Sequence, residues 1–155
     1  MKAFLSYSVS DNNEYILTVL SLKLRENNFS INTNLSSYHN ILDFNTIKQI
    51  GSSHLFIGIV TEKGNEIKRV LDEWEYAVKE NIPNILMIED RVSVPSHFKG
   101  NIIRFNMANP ERAINEIQNR MNPPKEKSSN IHELVPWLLG GAAILAAIGL
   151  FAKKN

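Results

Sequence analysis

Apolar residues along the first 121 positions change period several times, and each change predicts an element. "AFLSY", Ala3 to Tyr7, is a brief apolar run that breaks at the polar stretch "SVSDNN", so it predicts a strand followed by a loop. From about Asn13 to Asn27, Ile16, Leu17, Leu20 and Leu24 recur at helical spacing. "NNFSINT" then reads as a turn into a short strand, and "NLSSYHNILDFN" as an irregular polar loop before one short helix, Thr46 to Ile50.

The middle of the chain is more strongly patterned. "HLFIGIV", His54 to Val60, has the continuous apolar character of a strand covered on both faces. Asn65 to Asn81 predicts a helix whose inner stripe is Ile67, Val70, Leu71, Trp74, Ala77 and Val78. "NILMI", Asn84 to Ile88, and "NIIRF", Asn101 to Phe105, predict two more strands. The last helix opens at "NP", with Asn109 as cap and Pro110 in the first turn, and turns Ala113, Ile114, Ile117 and Met121 inward. Strand and helix thus alternate about five times, which calls for a parallel sheet with helices on both faces.

Beyond residue 121 the pattern changes. "NPPKEKSSNIHE", Asn122 to Glu133, is a polar linker with two prolines. Val135 to Ala152, "VPWLLGGAAILAAIGLFA", carries no charge and is followed by the basic tail 153–155. Eighteen helical residues span roughly 27 Å, close to the thickness of a bilayer core. Leu, Ile, Ala and Gly surround the segment on every face, so it reads as a transmembrane helix rather than as an amphipathic core helix. The organisation expected is a domain over 1–121, a linker over 122–134, and a single-pass C-terminal anchor over 135–152. The N-terminus lacks a signal-peptide pattern, which leaves the domain cytoplasmic, at the cell membrane.

Composition narrows the chemistry. Seventeen Lys and Arg balance sixteen Asp and Glu, and no basic stretch is interleaved with aromatics, so nucleic acid is not an expected partner. Cysteine is absent, which removes disulfides, thiolate zinc sites and thiol nucleophiles. The histidines, at 39, 54, 97 and 132, have no metal-ligand spacing, and neither a Gly-rich phosphate loop nor a serine-hydrolase elbow occurs. What remains is a set of polar residues at the predicted carboxyl ends of strands, where wound α/β sheets bind ligands: Ser6, Tyr7, Ser8, the loop after the second strand, and Thr61. The candidate acids are Glu73 and Glu75, each about 100° from the centre of the apolar stripe and on opposite flanks. Periodicity leaves the choice between them open.

"FLSYSVSD", the strand "LFIGIV" ending at Thr61, and "EWEYAVKENIPNILMI" together resemble the TIR (Toll/interleukin-1 receptor) domain family over roughly residues 2 to 121. The resemblance implies a flavodoxin-like fold with a five-stranded parallel sheet. TIR enzymes place a glutamate at the head of a Glu-Ile-x-x-Ala-like pattern that leads to a turn and an apolar strand. Laid on this chain, that glutamate is Glu73, with Trp74 at the isoleucine, Ala77 at the alanine and Asn81 at the turn. Thr61 stands at the family's serine, Arg69 where a tryptophan is common, and the loop after the second strand lacks the family's Pro-Gly.

The resemblance further implies cleavage of the nicotinamide–ribose bond of NAD+, with NAD+ as substrate, no separate cofactor and no metal. Glu73 would be catalytic, and Tyr7, Ser8 and Thr61 would contact the nucleotide. TIR domains also self-associate, and short bacterial TIR proteins resemble anti-phage effectors that act on NAD+ under the control of a nucleotide- or phage-sensing partner. Two other outcomes of the same resemblance are a non-catalytic TIR–TIR signalling module and a membrane-permeabilising effector clustered by its TIR domain. In the latter, Gly140, Gly141 and Gly149 would let the anchors pack closely in the lipid bilayer.

Overall fold

The computed structural model of the chain describes residues 1–7, 14–33, 42–63, 67–94 and 101–121. Within them the elements run β1 (Lys2–Tyr7), α1 (Glu14–Glu26), β2 (Ser30–Thr33), α2 (Phe44–Gly51), β3 (Leu55–Val60), α3 (Ile67–Lys79), β4 (Asn84–Glu89), β5 (Ile102–Phe105) and α4 (Glu111–Met121). The expected linker, transmembrane helix and basic tail lie outside the described residues, as does Ser8. Among the described residues no helix is long and apolar enough to cross a membrane.

All five strands are parallel and stand in the order β2-β1-β3-β4-β5. This is the flavodoxin-like arrangement, an α/β fold with helices on both faces. Alternation along each strand separates two cores. Ala3, Leu5, Ile57, Ile59, Met87, Ile103 and Phe105 pack with the inner stripes of α1 and α4. Phe4, Phe56, Val60, Leu86 and Ile88 pack with Ile50 of α2 and Val70, Trp74 and Ala77 of α3. The first crossover, through α1, carries the chain from β1 to the edge strand β2. The second, through α2, returns it on the opposite face to β3, on the other side of β1. The two paths diverge between β1 and β3, and the carboxyl ends of those strands flank the switch point where such sheets bind ligands.

Helix α3 lies close on the sheet because β3 carries Gly58. A Cβ there would stand 2.7 Å from Leu86 Cδ1 and 3.2 Å from Val70 Cγ1. Gly58 is also the register partner of Ser6, so this close approach of α3 occurs beside the carboxyl end of β1. The far end of α3 is closed by Asn81 at φ 56, with Asn81 N–H bonded to Val78 O at 3.0 Å and Ile82 N–H to Ala77 O at 2.9 Å. These two bonds form a Schellman cap, in which a left-handed residue frees the chain to enter β4. Asn28, at φ 61, ends α1 in the same way.

Three elements differ from their sequence expectation. Helix α2 starts two residues earlier than Thr46, because the Asp43 side chain accepts the Thr46 N–H at 2.7 Å and caps it. Val78, assigned to the inner stripe of α3, is 41% exposed, because the stripe drifts round the helix and the next inward position is Ile82, after the cap. In α4 the first helical bond is Ile114 N–H to Pro110 O, which makes Pro110 rather than Asn109 the cap residue.

Candidate active site

Strand β1 alternates Phe4 toward α3, Leu5 toward α1, and Ser6 again toward α3. Ser6 thereby places a hydroxyl where an apolar residue would otherwise complete the core, and it is 1% exposed. Facing it from α3 is Glu73, also 1% exposed, while Glu75 two residues on is exposed. The two glutamates that periodicity could not separate therefore have opposite environments. Only Glu73 enters the sheet's carboxyl edge.

One turn before Glu73, at the i,i+4 spacing that aligns side chains on a helix face, stands Arg69. Its Nη1 donates to Glu73 Oε1 at 3.0 Å, and its Nη2 donates to the backbone carbonyl of Tyr7 at 2.7 Å. Both members of this ion pair are buried. The guanidinium thus ties α3 to the last residue of β1 through two of its donors.

Glu73 Oε2 and Ser6 Oγ are both buried without a partner in hydrogen-bond geometry. Ser6 is nonetheless near enough to draw the Glu73 pKa down, so the two make a close polar approach that is not an aligned hydrogen bond. Buried polar atoms of this kind are uncommon, because each forfeits its hydration without replacement. Burial pushes the Glu73 carboxyl above the ordinary glutamate range; Ser6 and Arg69 oppose the rise, and the charge of Asp43 adds to it. The influence of Asp43 brings the N-terminal cap of α2 into the same neighbourhood.

The phenol of Tyr7 is raised by burial, with the Arg69 charge and the Thr33 hydroxyl acting against the rise. Tyr7 therefore stands by Arg69 and the end of β2. Thr61 is 2% exposed, one residue past the end of β3 on the same carboxyl edge. Of the residues expected at the site, Glu73 and Tyr7 are joined through Arg69, Thr61 shares their edge, and Ser8 is outside the described residues. Arg69 and Asp43 were not anticipated as site residues, although Arg69-x-x-x-Glu73 carried a legible signal in its one-turn spacing. Among the described residues no group of three or more His, Cys, Asp or Glu is placed to hold a metal ion.

No protein-family model and no curated protein matches the chain. Among solved structures it is similar to the Clostridium botulinum CMP N-glycosidase BcmB, with a TM-score of 0.54 and 16% identity, over 76% of this chain and 98% of that one. At that identity the likeness shows the fold.

Proposed function

We propose that the chain cleaves the N-glycosidic bond of a nucleotide, with Glu73 as the carboxylate that faces the ribose and NAD+ as the substrate. The observation that carries this reading is Glu73 itself, a buried carboxylate at the sheet's switch point with one oxygen held by Arg69 and the other unpartnered. The fold likeness to a nucleotide N-glycosidase and the TIR resemblance support the same class of bond.

The chemistry needs little more. In NAD+ the departing nicotinamide is already a pyridinium, so the C–N electron pair leaves with it as the ring becomes neutral, and no acid is required. The barrier is the positive charge that grows on the ribose, as in glycoside hydrolysis. A fixed carboxylate opposite that charge stabilises the transition state, and its free oxygen can accept a bond from a ribose hydroxyl. Water then attacks the anomeric carbon and loses a proton, or a hydroxyl of the same nucleotide attacks and closes a ring. Tyr7, Ser8 and Thr61 would contact the nucleotide. Glu73 is 1% exposed, so contact with a substrate would need a rearrangement at this edge. Self-association of TIR domains is the event we assign to that rearrangement. Residues 135–152 would anchor the protein in the membrane and raise its local concentration, as suits an anti-phage effector.

A second reading is favoured by one observation. The Arg69–Glu73 pair is buried, as a structural pair in a non-catalytic TIR–TIR module would be. The two readings part when the full-length protein is crowded on lipid vesicles and offered NAD+ and CMP in parallel. Release of nicotinamide supports the proposal. Release of cytosine alone keeps the bond class and replaces the substrate, and release of neither favours the non-catalytic module.

A further inference from the structure

The TIR pattern that this chain resembles often has tryptophan where Arg69 stands, and the role of this buried arginine follows from its own contacts. We infer that Arg69 is a positioning residue for Glu73: it clamps one carboxylate oxygen, fixes it to the end of β1, and leaves the second oxygen for a ligand. The inference rests on the catalytic reading of Glu73 and adds how that carboxylate is held.

The geometry asks for arginine in particular. Glu73 Oε1 and the Tyr7 carbonyl are reached by different nitrogens of one planar group, at 3.0 Å and 2.7 Å. A lysine ammonium is a point charge on a flexible stem and does not reproduce that fork. A buried ion pair is also a poor way to gain stability, since desolvating both charges costs about as much as their attraction returns. Holding a carboxylate in one orientation is the better account of its presence.

The groups around Glu73 come from three elements. Arg69 faces it from its own helix, Ser6 and the carbonyl of Tyr7 from β1, and Asp43 from the cap of α2. β3, the strand beneath α3, contributes only apolar residues and Gly58 over its length. Arg69 is thus the cation among the described groups that favour the ionised form, while burial and Asp43 favour the protonated one. Without Arg69, the proton would be retained to higher pH.

The test uses full-length protein in lipid nanodiscs, as wild type, Arg69→Gln and Arg69→Lys. Two readouts are taken: the pH profile of nucleotide cleavage, and the titration of the Glu73 carboxyl carbon by NMR, assigned by its loss in Glu73→Gln. In Arg69→Gln, the acid limb of the rate profile and the carboxyl titration are both expected to move to higher pH by about one unit or more. Arg69→Lys is expected to keep the limb near wild type with turnover reduced about tenfold or more and KM little changed, because the charge remains but the fork is lost. If Arg69→Gln does not fold, the lysine variant decides: wild-type turnover would overturn the inference, and reduced turnover at an unmoved limb would support it. A carboxyl titration identical in wild type and Arg69→Gln would also overturn it, leaving Arg69 as a structural brace. If the wild type cleaves nothing, the catalytic reading fails on its own, while the carboxyl titration still reports whether Arg69 holds Glu73.

Discussion

Arg69 and Glu73 form an ion pair at 3.0 Å with side-chain exposures of 3% and 1%, one helical turn apart and facing the end of β1. The two partners are unequal in one respect. Glu73 can escape an unpaired state by taking a proton, whereas arginine stays charged in any protein environment.

The asymmetry predicts the order of stabilities at neutral pH. Glu73→Leu is expected to destabilise by about 3 kcal/mol, because it takes the carboxylate away from a buried guanidinium. Arg69→Met is expected to cost less, since Glu73 then protonates. The double variant Arg69→Met/Glu73→Leu should recover most of both losses, because a buried pair replaced by apolar residues of similar volume is often neutral. Urea unfolding of the four proteins checks this, and strictly additive losses would contradict it.

The raised pKa of Glu73 has a stability consequence of definite sign. The folded state holds this proton more tightly than the unfolded chain, so stability rises as pH falls from neutral through the folded pKa toward the ordinary glutamate range. Glu73→Gln lacks the titrating group. Between pH 7 and pH 5, wild type is expected to gain stability relative to Glu73→Gln, read as the difference in unfolding free energy at each pH. A loss of wild-type stability relative to Glu73→Gln over that range would contradict the assignment.

Much of this architecture was legible in the chain. Continuous apolar runs marked β3 and β4, and the helical stripe of α3 identified the face on which Val70, Trp74 and Ala77 are buried. The turn at Asn81 came from the resemblance, and the structure accounts for it, because asparagine tolerates the left-handed φ of 56 that closes α3. The site was legible only in part. Glu73 and Glu75 are equivalent by angle, and what distinguishes them is the position of β1 across the sheet, a contact between residues far apart in sequence. Arg69 entered only as the residue standing where the resembled pattern often has tryptophan; charged residues are seldom buried unless paired, and its partner was itself unassigned by periodicity. Asp43 fell within a polar loop, and its capping role depends on where α2 begins.

Gly58 sets the distance between α3 and the sheet, and the prediction follows from its neighbours. A Cβ at 2.7 Å from Leu86 Cδ1, with the stiff Val70 side chain at 3.2 Å, must displace buried groups. Gly58→Ala is expected to destabilise by about 1–3 kcal/mol. It should also lower nucleotide cleavage by more than the loss of folded protein explains, since Glu73 rides on the same helix. Full activity per folded molecule would show that the site tolerates the shift.

The cap at Asn81 gives a control for backbone effects. Asn81→Ala is expected to lose about 1 kcal/mol, from the left-handed conformation. Asn81→Gly should stay within about 0.5 kcal/mol of wild type, as glycine adopts that region freely. Thermal or urea unfolding distinguishes them, and equal losses would place the effect in the side chain instead.

The identity of the reacting carboxylate is decided by nucleotide cleavage in two single variants compared side by side, Glu73→Gln and Glu75→Gln, each as full-length protein crowded on vesicles with NAD+. Glu75 is exposed, so its change is expected to leave both stability and turnover near wild type. The change at Glu73 is expected to abolish nicotinamide release while the protein remains folded. Release that survives in folded Glu73→Gln, or is lost with Glu75→Gln instead, would contradict the assignment of Glu73 as the carboxylate that faces the ribose.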